Sequence, residues 1–137
     1  MEIMYSLNFI DWNDILHSLL KEFDVYAPYS YDNQIEYALV SEESVHDITY
    51  NQPKPSSPLK TFFLPVKENV VRPANTDKKR IIIGAPACDL SALSILDEIY
   101  LDKDYIDPNY SRHRENTILI GFDCHSVNTH CHCTAYG

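Results

Sequence analysis

Glycine is nearly missing from this chain of 137 residues: Gly84, Gly121 and Gly137 are the whole complement. That scarcity excludes the glycine-rich phosphate loops GxGxxG and GxxxxGK(S/T), which need several positions without a Cβ beside the ligand. GxSxG and HExxH are absent as well, which removes the nucleophile elbow and the helix-borne zinc protease pair. No run of about 18 apolar residues occurs, so no segment reads as a bilayer-spanning helix. Residues 1–14 have neither the basic n-region nor the apolar h-region of a secretory signal, and the expected compartment is the cytoplasm. Positive charge is also short, with 11 Lys and Arg against 20 Asp and Glu and a formal net charge of −9. A chain this acidic repels phosphate, so neither nucleic acid nor an anionic membrane is an expected partner. No His or carboxylate has a spacing that compels an acid, base or nucleophile role, and the chain is not expected to be catalytic alone.

What is present is an ordinary globular composition, 45% apolar and 23% charged, in a length suited to one domain. Trp12, Ile15, Leu16, Leu19, Leu20 and Phe23 recur at helical spacing and predict an amphipathic helix over 11–23, capped by Asn8 or Asp11 and followed by Pro28. Ile35, Tyr37 and Leu39 alternate with less apolar neighbours and predict a strand over 34–40, with a second short strand over 45–50. Three prolines between Asn51 and Pro58 make that stretch extended and irregular. Residues 59–64 read as a short strand or a buried turn, and 72–79 as a polar loop.

The last third is organised differently. Arg80 to Gly84 is a continuous apolar run closed by glycine, the pattern of a fully buried strand. Leu90, Leu93, Leu96 and Tyr100 place a helix over 89–101 with Asp89 as its N-cap. Residues 102–114 read as a polar connector, and Asn116 to Gly121 as a second buried strand. Strand, helix, strand in this order predicts a βαβ unit with parallel strands. The expected fold is therefore a single α/β domain, 1–137. An N-terminal helix and strand region covers 1–50, a proline-rich connector 51–79, and a βαβ unit 80–137, around a mostly parallel sheet.

The four cysteines are spread unevenly: Cys88 alone, then Cys124, Cys131 and Cys133 near the end. Each predicted buried strand ends in a glycine, a short loop and a cysteine. If the strands are parallel, both loops leave the carboxyl edge of the sheet, where α/β proteins build their sites. Neighbouring strands stand about 4.8 Å apart, so Cys88 and Cys124 come within reach of one bound centre, and the short segment to Cys131 and Cys133 can fold back over it. A reducing compartment disfavours disulfides. Thiolates suit zinc or an iron–sulfur cluster. Zinc ribbons use paired Cys-x2–4-Cys knuckles, which are missing, whereas a cubane accepts ligands from loops of unequal length. The start of the helix favours a thiolate at Cys88. His125, His130 and His132 interleave with the thiols and read either as exposed loop residues or as ligands or donors to a metal group.

The stretch from Gly84 to Gly137 resembles a family of redox subunits with two 4Fe-4S clusters. The family includes the beta subunit of cytosolic sulfhydrogenase, a nickel–iron hydrogenase, and one of the subunits of anaerobic sulfite reductase. The resemblance rests on Gly84, Cys88, Asp89, Leu90, Ala92, Leu93, Ile95, Leu96 and Asp97, then Tyr110, Arg114, Asn116 and Thr117, and finally Cys124, Cys131, Cys133, Thr134 and Gly137. Upstream, Pro58, Lys60, Pro65 and Glu68 fit the same pattern. It implies an iron–sulfur electron-transfer domain of an anaerobic oxidoreductase complex, a 4Fe-4S cluster on Cys88, Cys124, Cys131 and Cys133, and partners that are other subunits of that complex. Lys60, Glu68 and Asp89 become candidate contacts to the bound group. Two departures stand out. The family's Arg-Pro before Cys-Asp-Leu is Pro86-Ala87 here. Family members also continue into a ferredoxin-like half with CxxCxxC motifs, so the chain corresponds to the N-terminal domain alone. A structural zinc domain on the same thiols and a metal-free interaction domain are the competing readings.

Overall fold

A computed structural model describes residues 4–52, 55–64, 79–126 and 131. Helix α1 (Phe9–Leu20) is followed by strands β1 (Asp24–Tyr31) and β2 (Gln34–Leu39), strand β3 (Arg80–Pro86) and helix α2 (Ala87–Tyr100). A small hairpin, β4 (Leu101–Asp102) and β5 (Tyr105–Ile106), leads to helix α3 (Pro108–Glu115) and strand β6 (Thr117–Phe122). The main sheet has the order β2-β1-β3-β6. β1 pairs antiparallel with β2, while β1 with β3 and β3 with β6 are parallel. This is the expected small α/β architecture, with a mostly parallel sheet, an N-terminal helix and β3-α2-β6 as the βαβ unit.

The sheet divides the apolar residues between two faces. On one side Leu16 of α1 packs with Val25, Ala27, Ile81, Ile83 and the buried Val45 and Ile48. On the other, Ile82 and Ala85 meet Leu93 of α2, Tyr110 of α3, Leu59 and Phe63. Strict alternation along β3 would put Ala85 with Ile83, but the register shifts between them. Gly84 makes that shift at φ +81°, a conformation that L side chains adopt only with strain. A Cβ there would also stand 2.9 Å from both Cγ and Cδ of Pro28. The scarce glycine is therefore needed twice over, for backbone angle and for space.

Several local expectations are corrected. The first helix starts earlier, because the Asn8 side chain accepts from the Asp11 N–H at 2.8 Å and caps it. Residues 24–31 form a strand, although Pro28 reads as a breaker. Its carbonyl accepts from the Thr49 N–H, so the edge on which an N–H is missing faces away from β2. Pairing with β3 has already ended at Tyr26, and the proline sacrifices no ladder bond. Residues 45–47 are a 3-10 turn rather than a strand, anchored by Ser44, whose side chain meets the Tyr29 hydroxyl at 3.0 Å. Residues 59–62 are likewise a 3-10 turn, so the buried-turn alternative holds there. The polar connector contains α3, capped by Asp107 with Pro108 in its first turn. It lacks an apolar stripe because Tyr110 is its one buried residue. Among the described residues β6 is an edge strand with no fully buried residue, where a buried strand was expected. No helix among the described residues is long and apolar enough to cross a membrane.

Candidate metal centre

The geometry of the carboxyl edge follows from one register. In the parallel β3–β6 pair, Pro86 stands opposite Phe122. Cys88 lies two residues beyond the first and Cys124 two beyond the second, so both thiol-bearing segments leave the sheet side by side, as the parallel reading requires. Cys88 is half-buried in the first turn of α2, whereas Cys124 and Cys131 are exposed. His125 is exposed beside Cys124. Cys133, His130, His132 and Glu68 lie outside the described residues. Among the described residues, no three His, Cys, Asp or Glu side chains stand together as a finished metal sphere.

Asp89 is not the N-cap. The helix begins at Ala87 with Pro86 in the capping position and no side-chain cap. The capping residue therefore offers no side-chain acceptor to the first turn beside Cys88, at the positive end of a helix of 14 residues. Asp89 instead accepts from the Leu59 backbone N–H at 3.4 Å, and the Cys88 thiol points to its other oxygen at 4.0 Å. Asp89 therefore ties the 3-10 turn 59–62, with exposed Lys60 on it, to the start of α2. Two of the three candidate cofactor contacts, Lys60 and Asp89, are brought to the same corner as Cys88.

Sequence reasoning missed Tyr37. From β2 its hydroxyl donates to the Gly84 carbonyl at 3.1 Å, pinning the bulge just before the helix that carries Cys88. Burial pushes its ionisation well above the usual tyrosine range, and the charges of Asp89 and Cys88 add to the shift. Its place in the β2 alternation marked it as core, and nothing in the sequence pointed to its far contact.

A second network sets α2 against α3. Arg114 grips Asp97 with two parallel bonds of 2.8 Å, and the Tyr110 hydroxyl donates to Asp97 at 2.7 Å. Hydrogen bonding from Arg114 is the main cause that holds the Asp97 carboxyl below its ordinary value. The Arg114 guanidinium also lies over the Phe63 ring at 5.3 Å. Arg80 completes the frame. Its side chain donates to the Phe62 carbonyl and to the Thr117 hydroxyl, which in turn donates to the His113 carbonyl. Asp97, Tyr110, Arg114 and Thr117 all belong to the pattern that carried the family resemblance, and their place in it is structural. They fix the helix that bears Cys88 to the helix that feeds the strand before Cys124.

These residues fit an iron–sulfur group in kind: soft thiols on segments leaving one sheet edge, a helix start without a side-chain cap, and a frame that fixes the helix bearing Cys88. On the α1 face of the same edge an apolar cleft of about 320 Å³ opens, walled by Trp12, Tyr50, Ile83, Ile120 and Phe122. Among the described residues no thiol or carboxylate lines it.

The chain is similar to the sulfhydrogenase 2 subunit beta of Pyrococcus furiosus, with 27% identity over 120 residues. That match covers 82% of this chain and 35% of the relative. The similarity supports a relationship to that family, and the chain spans about a third of the length of the curated relative it matches. No family model and no solved structure matches.

Proposed function

We propose that this chain is an iron–sulfur electron-transfer domain of an anaerobic oxidoreductase complex of hydrogenase or sulfite reductase type. Cys88, Cys124, Cys131 and Cys133 would hold a 4Fe-4S cluster at the carboxyl edge of the sheet. The observation that carries the reading is the Pro86–Phe122 register, by which the segments bearing Cys88 and Cys124 leave adjacent parallel strands at the same edge of the sheet. The similarity to a sulfhydrogenase beta subunit supports the redox assignment.

When bound, the cluster supplies a one-electron redox centre. The chain's own residues act around it. Cys88 enters as a thiolate favoured by the N–H groups of the first turn of α2. Asp89 spends its carboxylate on Leu59 and so steadies the turn carrying Lys60. Tyr37 fixes the Gly84 carbonyl and with it the path into the start of α2. Cys124, exposed just beyond β6, would be a second ligand, and the free energy of metal binding helps to organise such ligands. The acidic surface favours partner subunits with basic docking faces.

Anaerobic purification followed by iron and sulfide analysis tests this. The expected result is about four irons and four sulfides per chain with a broad visible absorbance, and loss of both in Cys88→Ser and in Cys124→Ser. A colourless, iron-free protein after anaerobic reconstitution overturns the reading. So does one tightly held zinc with no visible band.

A further inference from the structure

The two edges of the main sheet are treated differently. At the β2 edge, the Ser56 N–H donates to the Ile35 carbonyl at 2.7 Å, and the Ser57 N–H and hydroxyl both bind the Glu36 carboxylate. That rim carries a charge and is covered. Among the described residues the β6 edge has neither protection. Its sequence, Thr117-Ile-Leu-Ile-Gly-Phe122, contains no charge and no proline, and the only irregularity in its ladder falls on β3. Natural edge strands are normally blunted by one of these devices. Among the described residues no backbone hydrogen bond from any element other than β3 reaches 117–122, and Ile118 is 47% exposed. Acidic residues stand exposed just beyond both ends, Glu115 before the strand and Asp123 after it.

We propose that the outer rim of β6 is a docking edge for an extended apolar segment, flanked by basic residues, of a partner subunit. The segment joins the sheet as a further strand. Main-chain hydrogen bonds supply the affinity of such β-augmentation, and side-chain pockets and flanking charges its choice of partner. The charge pattern decides the occupant. A second copy would bring Glu115 and Asp123 against their own kind and add another net charge of −9, whereas lysines or arginines beside a partner strand meet both acids. The inference rests on the reading that this chain works beside other subunits, but it needs no bound metal.

Backbone hydrogen exchange of the full chain tests it, with iron content measured on the same samples so that the two readings fail separately. The probe is a short peptide with a valine and threonine centre and two lysines at each end; a glutamate-flanked version is the control. The lysine-flanked peptide is expected to slow exchange of the outward β6 amides by at least about tenfold, less in high salt, while the control does nothing. Ile118→Lys weakens the effect, and the double variant Glu115→Gln, Asp123→Asn abolishes the preference between the peptides without touching the strand. No slowing, or equal slowing by both peptides, overturns the proposal. Protection already present in the dilute chain alone, or growing with chain concentration, also overturns it, because the occupant is then this chain itself.

Discussion

The two cysteine-bearing strand ends start from the same sequence plan and finish differently. After β3, every feature is fixed: Gly84 is wedged against Pro28, its carbonyl is held by Tyr37, and the next residues enter a helix that carries Cys88 half-buried. After β6, Gly121 is less constrained, for a Cβ there would meet the tip of Leu90 at 2.8 Å and the Ala85 carbonyl at 3.3 Å, and Cys124 emerges into an exposed segment. One end holds Cys88 on a rigid mount, and the other leaves Cys124 exposed just past the sheet.

Substituting the two glycines tests this contrast most severely. Gly84→Ala combines a strained positive φ with a clash against a proline ring, and is expected to cost about 3 kcal/mol. Gly121→Ala meets mainly a mobile leucine terminus, and is expected to cost about 1 kcal/mol. Urea unfolding of the two variants checks the order, and equal losses would erase the distinction between the ends.

Next in size is the link between them. Asp97→Asn leaves the Arg114 guanidinium without its carboxylate and should destabilise by about 2 kcal/mol, allowing for the partial exposure of the pair. The effect has a pH signature. Native Asp97 titrates below its unfolded value of about 3.9, so the folded state binds fewer protons and the contribution is complete above that pH. It disappears as pH falls through the lowered native value. The stability gap between the natural chain and Asp97→Asn should stay constant from about pH 5 to 8 and narrow below about pH 4.

The smallest expected change belongs to Tyr37→Phe, which removes one hydrogen bond to the Gly84 carbonyl at a cost of about 1 kcal/mol. Hydrogen exchange should show the loosening at 84–89 and leave 121–124 unchanged, which would localise the anchoring to the β3 end.

Much of this arrangement was legible in the residues. The helical spacing from Trp12 to Phe23, the alternation in β2 and the two glycine-closed apolar runs each named an element correctly, and the parallel pairing followed from their order. β1 was hidden because a proline in a strand is harmless only where no neighbour needs its N–H, and that depends on where β3 stops. α3 was hidden because its helical signal lay in its start, Asp107 and Pro108, while its body has too few apolar positions to show a period. Burial of β6 was overestimated because an apolar run does not reveal whether a strand is central or at an edge. At the candidate centre, the departure of the Cys88 and Cys124 segments from adjacent strands could be read from strand order. The Asp97–Arg114 grip and the reach of Tyr37 could not, since each joins residues from separate elements.

The contact between Pro28 and Gly84 has a one-sided consequence for how such a chain can change over generations. A smaller residue at position 28 would relieve the crowding, yet it would not release position 84, whose backbone angle still penalises any side chain. Position 28 is thus free to drift under a steric ceiling, while position 84 is frozen by its torsion whatever its neighbour becomes.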